Sequence, residues 1–279
     1  MNNLENLLNL QINEIMDSEV KEAMRYSLLA GGKRIRPRMV YAVAKGYGID
    51  DDLANHFAYA IEMIHTYSLI HDDLPAMDND NLRRGKPTCH IKFGEANAIL
   101  AGDGLLTYAF EVASKANVDA SIIVKAIEIL SKNAGADGMI LGQCLDVDDN
   151  RHMNWEDIKR VHYYKTGCLF SAALELGAIL HMLNQKVLNQ WDSIGKELGL
   201  AFQIQDDLLD IHQSAEVLGK STSDERNGKK TSVIVLGEET ATTTMNDLYD
   251  HCLEQIKTFE EFEPSYLIDL VKEVQVRIY

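Results

Sequence analysis

The chain has 279 residues, of which 46% are hydrophobic and 25% are charged, and this is enough to bury a large core. Its 27 basic and 43 acidic side chains give a formal net charge of −16, which argues against nucleic acids and anionic membranes as partners. Four scattered cysteines, no basic leader and no apolar run near the roughly 18 residues that span a bilayer indicate a soluble cytoplasmic protein with reduced, buried thiols.

Apolar residues recur at helical spacing along most of the chain, whereas the alternation that marks a half-buried strand is nearly absent. Leu4, Leu7, Leu8 and Ile12 form the first helical stripe. Several later segments are apolar nearly all round and must lie inside a large bundle, so we predict an all-α fold. Because no linker-like stretch divides the chain, we expect one domain over residues 1–279. The later helices are predicted over residues 20–30, 36–47, 51–72, 94–115, 119–133, 154–180, 184–213 and 238–258.

A basic segment lies between the first two of these later helices. Gly31 and Gly32 are followed by three cations, Lys33, Arg34 and Arg36. Such a segment can end a helix and leave its charges in solvent, or the cations can bind an anion. The segment alone leaves both possibilities open.

The first aspartate cluster follows the helix predicted over residues 51–72. Asp72, Asp73 and Asp78 are set among apolar residues, where a carboxylate costs several kcal/mol unless a cation or a hydrogen bond compensates it. His65 lies two helical turns before Asp72 and shares its face. Pro75 ends or bends the helix, so that Asp78 can turn back toward Asp72.

The second aspartate cluster has an inverted helical pattern. Gln203, Asp206, Asp207 and Asp210 fall at positions i, i+3, i+4 and i+7, which form one stripe of a helix, and apolar residues occupy the other faces. Such a stripe is typical of a helix that lines an internal polar cavity. We predict that the two clusters face each other across that cavity and share divalent metal.

Cations lie close to both clusters. Arg83 and Arg84 follow the first cluster and Lys220 follows the second, so the metal site is predicted to hold an anionic, phosphate-bearing ligand. Lys165 lies in an otherwise apolar helix, where a lysine needs an anion.

Other acidic and glycine-rich segments do not form sites of this kind. The aspartates at 50–52 stand at a helix start and are expected to cap it. The sequence from Asp78 begins like a calcium loop, but Leu82 and Arg83 occupy positions that need an oxygen ligand and a glycine. Residues 219–221 resemble the end of a phosphate-binding loop, but the first glycine of that motif would be Ser214.

Taken together, these segments resemble the trans-prenyltransferases, also called isoprenyl diphosphate synthases. The two aspartate-rich motifs of that family stand here as DDLPAMDNDNLRRG at 72–85 and FQIQDDLLD at 202–210. The segments GGKRIRP, EMIHTYSLIHDD, GEANAILAGD, GMILGQCLD and YKTG also match in order, so the resemblance covers about residues 20–240. A class I terpene cyclase shares only the first aspartate motif and has no GGKRIRP.

The resemblance implies helices around a deep central cavity, usually in a homodimer. It implies that isopentenyl diphosphate condenses head-to-tail with an allylic diphosphate, dimethylallyl or geranyl, after Mg²⁺-assisted ionisation to an allylic carbocation. The departed diphosphate would then remove the proton. By the same resemblance, the metal ligands are Asp72, Asp78 and Asp206, with Asp73, Asp207 and Asp210 behind them.

The resemblance also assigns roles to the basic and polar residues. Lys165, Thr166 and Gln203 are the expected catalytic residues, of which Thr166 and Gln203 would face the carbocation. Lys229 would close over the site, although the choice between Lys229 and Lys230 is open. The allylic diphosphate would meet Arg83, Lys165 and Lys220. Isopentenyl diphosphate would be held without metal by Lys33, Arg36, His65 and Arg84.

Product length depends, in this family, on the positions four and five before the first motif. Tyr67 lies about 7.5 Å down the helix from Asp72. A bulky Tyr67 beside Ser68, with the insertion Pro75-Ala76, resembles bacterial farnesyl diphosphate synthases, so we predict a C15 product. The alternatives are a geranylgeranyl or mixed short-chain synthase and, less favoured, a regulatory subunit of a heteromeric prenyltransferase.

The chain departs from the family pattern after the second motif. Residues 219–224 are one residue short and lack a glycine, and Ser232 stands where the family has an aromatic residue. The C-terminal residues 271–279 are only loosely similar to the family. Arg277 can nevertheless reach the expected isopentenyl diphosphate site.

Overall fold

A computed structural model describes residues 2–148, 154–216 and 231–277, and within these ranges the regular structure is helical except for one short hairpin. The all-α prediction is therefore confirmed. No helix among these residues is long and apolar enough to cross a membrane. The elements are α1 (Asn2–Asn13), α2 (Glu19–Leu28), α3 (Ile35–Gly46), α4 (Asp51–Asp72), β1 (Leu82–Arg83), β2 (Lys86–Pro87), α5 (Cys89–Phe93), α6 (Glu95–Ser114), α7 (Ala120–Ala134), α8 (Met139–Asp146), α9 (Trp155–His162), a π-helical turn (Tyr163–Gly167), α10 (Cys168–Ala178), a 3-10 turn (Ile179–His181), α11 (Gln185–Glu216), α12 (Ser232–Leu236), α13 (Glu238–Ile256) and α14 (Ser265–Gln275).

Hydrophobic periodicity located most of these helices to within a few residues, and the segment 51–72 coincides with α4. The helix predicted over 154–180 is confirmed in its bounds, but it contains a π-helical turn between α9 and α10 and ends in a 3-10 turn. Gly94, with a positive φ of 81°, separates α5 from α6. The helices α8 and α12 were not predicted, since eight and five residues are too few to show a stripe.

The predictions for the cap of α4 and for the four cysteines are each wrong in one respect. Asp50 precedes α4 as its N-cap residue, but its side chain makes no capping hydrogen bond. Cys89, Cys168 and Cys252 are buried free thiols as predicted, whereas Cys144 is exposed.

The helix α4 runs through the centre of the molecule. It packs most extensively against α6, and α3 lies beside both α4 and α10. Phe57, Ile61 and Ile64 of α4 are completely buried. Burying each of these side chains contributes about 1.5–3 kcal/mol to the free energy of folding. The helix is apolar nearly all round because most of its length is buried.

Glycines allow α10 and α11 to approach each other closely. A Cβ atom on Gly199 would lie 2.4 Å from the Cα of Gly167, and one on Gly195 would lie 2.3 Å from the Cα of Ser171. No side chain fits at either position without separating the helices. This contact fixes the end of the π-helical turn against α11.

A buried polar cluster lies next to this contact. The Oγ of Ser171 lies 3.0 Å from Oε1 of Glu175 and 2.6 Å from Oδ1 of Asp192. Because a hydroxyl group carries one hydrogen, both contacts are hydrogen bonds only if one carboxyl group is protonated. Burial, followed by the charge of Asp192, raises the pKa of Glu175 to about 7, while Asp192 is paired with Lys196 at 2.8 Å. Glu175 is therefore the protonated partner below that pH.

Replacing Glu175 with glutamine should change how stability depends on pH. Unfolded glutamic acid titrates near 4.5, so the folded state binds more protons between pH 4.5 and about 7, and stability falls as pH rises through this window. The groups that face Glu175 are Asp192 and Lys196 from α11 and Lys132 from α7. Between pH 5 and pH 8, the free energy of unfolding of Glu175→Gln should rise by roughly 1–3 kcal/mol relative to that of wild type, as measured by urea denaturation.

The matched control is Glu128→Gln, which alters an exposed glutamate of α7 that pairs with Lys125. This variant should follow the wild-type pH dependence. A Glu175→Gln variant whose stability difference from wild type is equal at pH 5 and pH 8 would contradict the assignment of the proton.

Candidate active site

A cavity of about 1170 Å³ lies between the start of α3 and the helices α4, α6, α8 and α11. The predicted site residues that line the cavity are Lys33, Arg36, His65, Tyr67, Ser68, Asp72, Arg83, Arg84, Lys165, Thr166, Gln203 and Asp206. The other predicted aspartates, Asp73, Asp78, Asp207 and Asp210, do not line it, and Lys220 and Lys229 lie outside the described residues.

The first aspartate cluster lies at the end of α4. The helix ends at Asp72, and the backbone N–H of Asp78 donates to the Asp72 carbonyl at 2.9 Å, so the chain does turn back as predicted. Burial raises the pKa of Asp72 above its ordinary value; Lys165 opposes this shift and the negative charge of Asp78 adds to it. A cation bound between these two carboxylates would be favoured on electrostatic grounds.

The hairpin after this cluster positions two arginines. Arg83 of β1 donates to the buried carboxylate of Asp73, with N–O distances of 2.6–2.9 Å. Arg84 and Gly85 both have positive φ, as a two-residue type I′ turn requires. The Arg84 guanidinium then lies against Gly32, where a Cβ atom would come within 2.7 Å of it. Asp73 thus orients Arg83, and Gly32 leaves room for Arg84 beside the basic segment.

The three cations of the basic segment have different roles. Arg34 is buried and pairs with Glu62 at 2.5 Å and with Glu5 at 2.7 Å, so it holds α1, α3 and α4 together. Lys33 and Arg36 line the cavity. Arg34 therefore follows neither of the two possibilities that the sequence left open, because its charge is buried in ion pairs, whereas Lys33 and Arg36 lie where they can meet an anion in the cavity.

Positive charge is concentrated at this end of the cavity. Burial lowers the pKa of Arg36 to about 10, although Glu62 opposes the shift, and the arginine stays charged at neutral pH. Burial lowers the pKa of His65 well below its ordinary value, and the charges of Arg36 and Arg84 add to this. His65 is therefore neutral, and an anion bound here would relieve the repulsion between the arginines.

The π-helical turn carries Lys165 and Thr166. Lys165 Nζ lies 2.6 Å from Oδ2 of Asp146, so the anion that the sequence required is supplied by α8. Thr166 Oγ1 donates to Oε1 of Gln203 at 3.1 Å across the contact between the π-helical turn and α11. A Cβ atom on Gly142 would lie 2.0 Å from the backbone nitrogen of Lys165, so α8 supports the turn directly. Single π-helical turns inside helices occur frequently at functional sites.

The second aspartate cluster does not act as one stripe. Gln203 and Asp206 line the cavity, but Asp207 turns away and accepts hydrogen bonds from the backbone N–H and Oγ of Ser232 at 2.8 and 2.7 Å. His162 Nε2 lies 3.4 Å from the same carboxylate. Burial pushes the pKa of Asp207 upward, but His162 and Ser232 outweigh it and lower the pKa below the ordinary value. Asp207 thus fastens α12 to α11.

Asp206 is paired with Arg277, which follows α14. The guanidinium donates to Oδ1 of Asp206 at 2.5 Å and to the carbonyl of Phe202 at 3.0 Å. Its Nε donates to Oε1 of Gln205, which also accepts from the hydroxyl of Tyr249. Sequence reasoning missed Gln205 and Tyr249, because neither lies on the acidic stripe. Burial raises the pKa of Asp206 to about 6 even though Arg277 opposes the shift.

Carboxylate oxygens are ligands that magnesium prefers, but the described carboxylates of the cavity do not surround a metal position by themselves. In the parts of the chain that the structure describes, no group of three or more His, Cys, Asp or Glu side chains is close enough to hold a metal ion. That the two clusters share a divalent metal therefore stays a prediction. Asp72 and Asp206 are half-buried carboxylates with raised pKa values that line one cavity, so oxygen ligands of the kind that magnesium prefers are present.

The chain is similar to known proteins both in sequence and in fold. Residues 17–266 match the family model described as polyprenyl synthetase. The chain is 43% identical over 249 residues to the farnesyl diphosphate synthase of Haemophilus influenzae, covering 88% of this chain and 84% of that protein. It is 41% identical over 263 residues to the chloroplastic geranylgeranyl pyrophosphate synthase of Capsicum annuum, covering 92% and 71%. A crystal structure of the Helicobacter pylori geranyltransferase complexed with magnesium and isoprenyl diphosphate matches with a TM-score of 0.83 at 36% identity, covering 98% of this chain and 94% of that one.

Replacing Ser232 with alanine should destabilise the protein. The substitution removes the Oγ donor from the buried Asp207 carboxylate and leaves the backbone donor in place. Because hydrogen bonds to charged groups contribute about 1.5–3 kcal/mol, urea denaturation should show a loss of that order. The control Ser114→Ala removes an exposed hydroxyl that bonds only within α6, and it should change stability by less than about 0.5 kcal/mol. Equal effects of the two substitutions would contradict the role given to Ser232.

Proposed function

The chain belongs to the polyprenyl synthetase family, and we propose that it is an enzyme that condenses isopentenyl diphosphate head-to-tail with dimethylallyl and geranyl diphosphates to give farnesyl diphosphate. The observation that carries this proposal is that one cavity is lined by carboxylates of both aspartate clusters and by cations of the basic segment. Asp72 and Asp206 line it, and so do Lys33 and Arg36. Such a cavity can hold two diphosphates with different means of neutralising their charge.

The basic end of the cavity is proposed to bind isopentenyl diphosphate without metal. Lys33, Arg36 and Arg84 supply the positive charge. The charge of Glu62 acts on Arg36 and Arg84, and that of Asp206 acts on Lys33 and Arg36. Neutral His65 would donate a hydrogen bond, and binding a diphosphate would lower the repulsion between Arg36 and Arg84.

The carboxylate end is proposed to bind the allylic diphosphate. Asp72, Asp78 and Asp206 would hold Mg²⁺, which when bound offsets the negative charge of the diphosphate. Lys165 and Arg83 line the same cavity and would bind the diphosphate oxygens directly. Their present partners, Asp146 and Asp73, hold both cations in place beforehand, so little reorganisation is required.

The reaction itself needs little from ordinary acid–base side chains. The C–O bond of the allylic substrate breaks, and the electron pair leaves with the diphosphate. The double bond of isopentenyl diphosphate then forms a C–C bond with the allylic cation, and a proton passes to an oxygen of the released diphosphate. The hydrogen-bonded oxygens of Thr166 and Gln203 are proposed to stabilise the cation, while Leu169 and Phe202 keep water away.

The chain is proposed to act as a homodimer in the cytoplasm. No nucleic-acid partner and no stable membrane insertion is proposed, in keeping with the net charge of −16. A geranylgeranyl or mixed short-chain synthase is the second candidate, favoured by the 41% identity to the Capsicum annuum protein. The bulky Tyr67 that lines the cavity supports the shorter product.

The first test is product analysis with purified protein, labelled isopentenyl diphosphate, dimethylallyl diphosphate and Mg²⁺. Mainly C15 product is expected, and EDTA or Asp72→Ala should lower turnover at least about 100-fold, because each removes the compensation of the diphosphate charge. The control Asp250→Ala changes an exposed acid of α13 and should retain turnover. Full activity of Asp72→Ala would contradict the proposed site.

Replacing Tyr67 with alanine should lengthen the product. Tyr67 is 6% exposed, and its ring meets that of His71 edge-on at 5.8 Å between centroids. Its buried hydroxyl has no hydrogen-bond partner, so its contribution to the cavity is its volume. Tyr67→Phe keeps that volume and should still give C15, whereas Tyr67→Ala should give C20 or longer chains by chromatography. An unchanged C15 product from Tyr67→Ala would show that Tyr67 does not limit chain length.

A further inference from the structure

The C-terminal Arg277 lies inside the proposed active site rather than on the surface. Its side chain is 9% exposed, and its guanidinium contacts the Asp206 carboxylate, the Phe202 carbonyl and Gln205. The guanidinium carbon also lies 3.6 Å from the centroid of the Phe202 ring. Arg277 therefore occupies an oxygen of a carboxylate that the proposed function assigns to metal.

Two sets of contacts hold the segment that carries Arg277. The body of α14 is fixed by the buried Leu267 and Val271 and by the ion pair of Glu273 with Arg38 of α3. The last turn of the helix is held by the buried Val274 and by the hydrogen bond from Gln205 Nε2 to the Gln275 carbonyl at 2.7 Å. Val276 is 72% exposed, so Val276 and Arg277 can move without unpacking the buried face of α14.

A guanidinium and a divalent cation compete for one carboxylate. Both are attracted by the single negative charge of Asp206, and they repel each other when they are bound to it together. The charge of Arg277 also acts on Lys33, whose pKa is lowered by burial and then by Arg277. A metal ion on Asp206 would therefore meet the positive charge of Arg277 directly and that of Lys33 nearby.

We propose that Arg277 holds the place of the metal on Asp206, and that metal binding displaces Arg277 and loosens the C-terminal turn. Arg277 is a positioning residue in this proposal, because it acts through Asp206 and not on the reacting atoms. The proposal rests on the proposed function, since that function assigns metal to Asp206. The C-terminal turn would then report whether the carboxylate end of the cavity is occupied.

The test measures binding of Mn²⁺ alone to the full chain at pH 8 by electron paramagnetic resonance. Arg277→Gln should bind Mn²⁺ at least about 5-fold more tightly than wild type, and Arg277→Lys should fall between them. The matched control is Arg160→Gln, which removes an exposed arginine of α9 that does not line the cavity. Its affinity should change less than about 2-fold.

Hydrogen exchange provides the second readout. The amide of Val276 donates to the Lys272 carbonyl and that of Arg277 to the Val274 carbonyl. Saturating Mn²⁺ should accelerate exchange at these two amides in wild type but not in Asp206→Asn, while the amide of Val271 should be unaffected.

Each outcome of these experiments has a distinct meaning. Equal tightening in Arg277→Gln and Arg160→Gln, no tightening in either, or unchanged exchange with bound metal would overturn this proposal while leaving the proposed function intact. Absence of Mn²⁺ binding in wild type and in Arg277→Gln would overturn the metal site of the proposed function, and this proposal with it.

Discussion

The helical bundle places several carboxylates where water solvates them incompletely, and the rest of the site depends on how their charge is compensated. A buried carboxylate without a partner costs several kcal/mol, so the chain must supply cations or hydrogen-bond donors from distant segments. The compensating pairs are Asp73 with Arg83, Asp146 with Lys165, Asp206 with Arg277, and Asp207 with Ser232. These pairs determine which cations are already in place when a substrate enters.

The pairs also give the cavity two unlike ends. Asp72 and Asp206 form an end that attracts cations, whereas Lys33, Arg36 and Arg84 form an end that attracts anions. Under the proposed function, two diphosphates bound at these ends would be neutralised in different ways, one with metal and one without. This asymmetry is the physical basis for treating one substrate as the group that ionises and the other as the nucleophile.

The sequence predicted much of this arrangement, but it could not distinguish neighbouring residues. Helical periodicity located α4 and α11, and the motifs identified the residues that line the cavity. Arg34 and Arg36 lie two residues apart in one basic segment. Arg34 has a left-handed φ of 50° and pairs with Glu62, whereas Arg36 lines the cavity. Similarly, Asp207 leaves the cavity because Ser232, 25 residues later, provides two donors. Partners so distant in sequence are set by tertiary packing, which periodicity does not report.

The measurement that tests the two-ended cavity most directly is calorimetric titration of each substrate with and without EDTA. Isopentenyl diphosphate should bind with an affinity that EDTA changes by less than about 2-fold, whereas a non-ionisable thio analogue of geranyl diphosphate should bind at least about 100-fold more weakly without metal. Equal dependence of both ligands on metal would contradict the division of the cavity into a carboxylate end and a basic end.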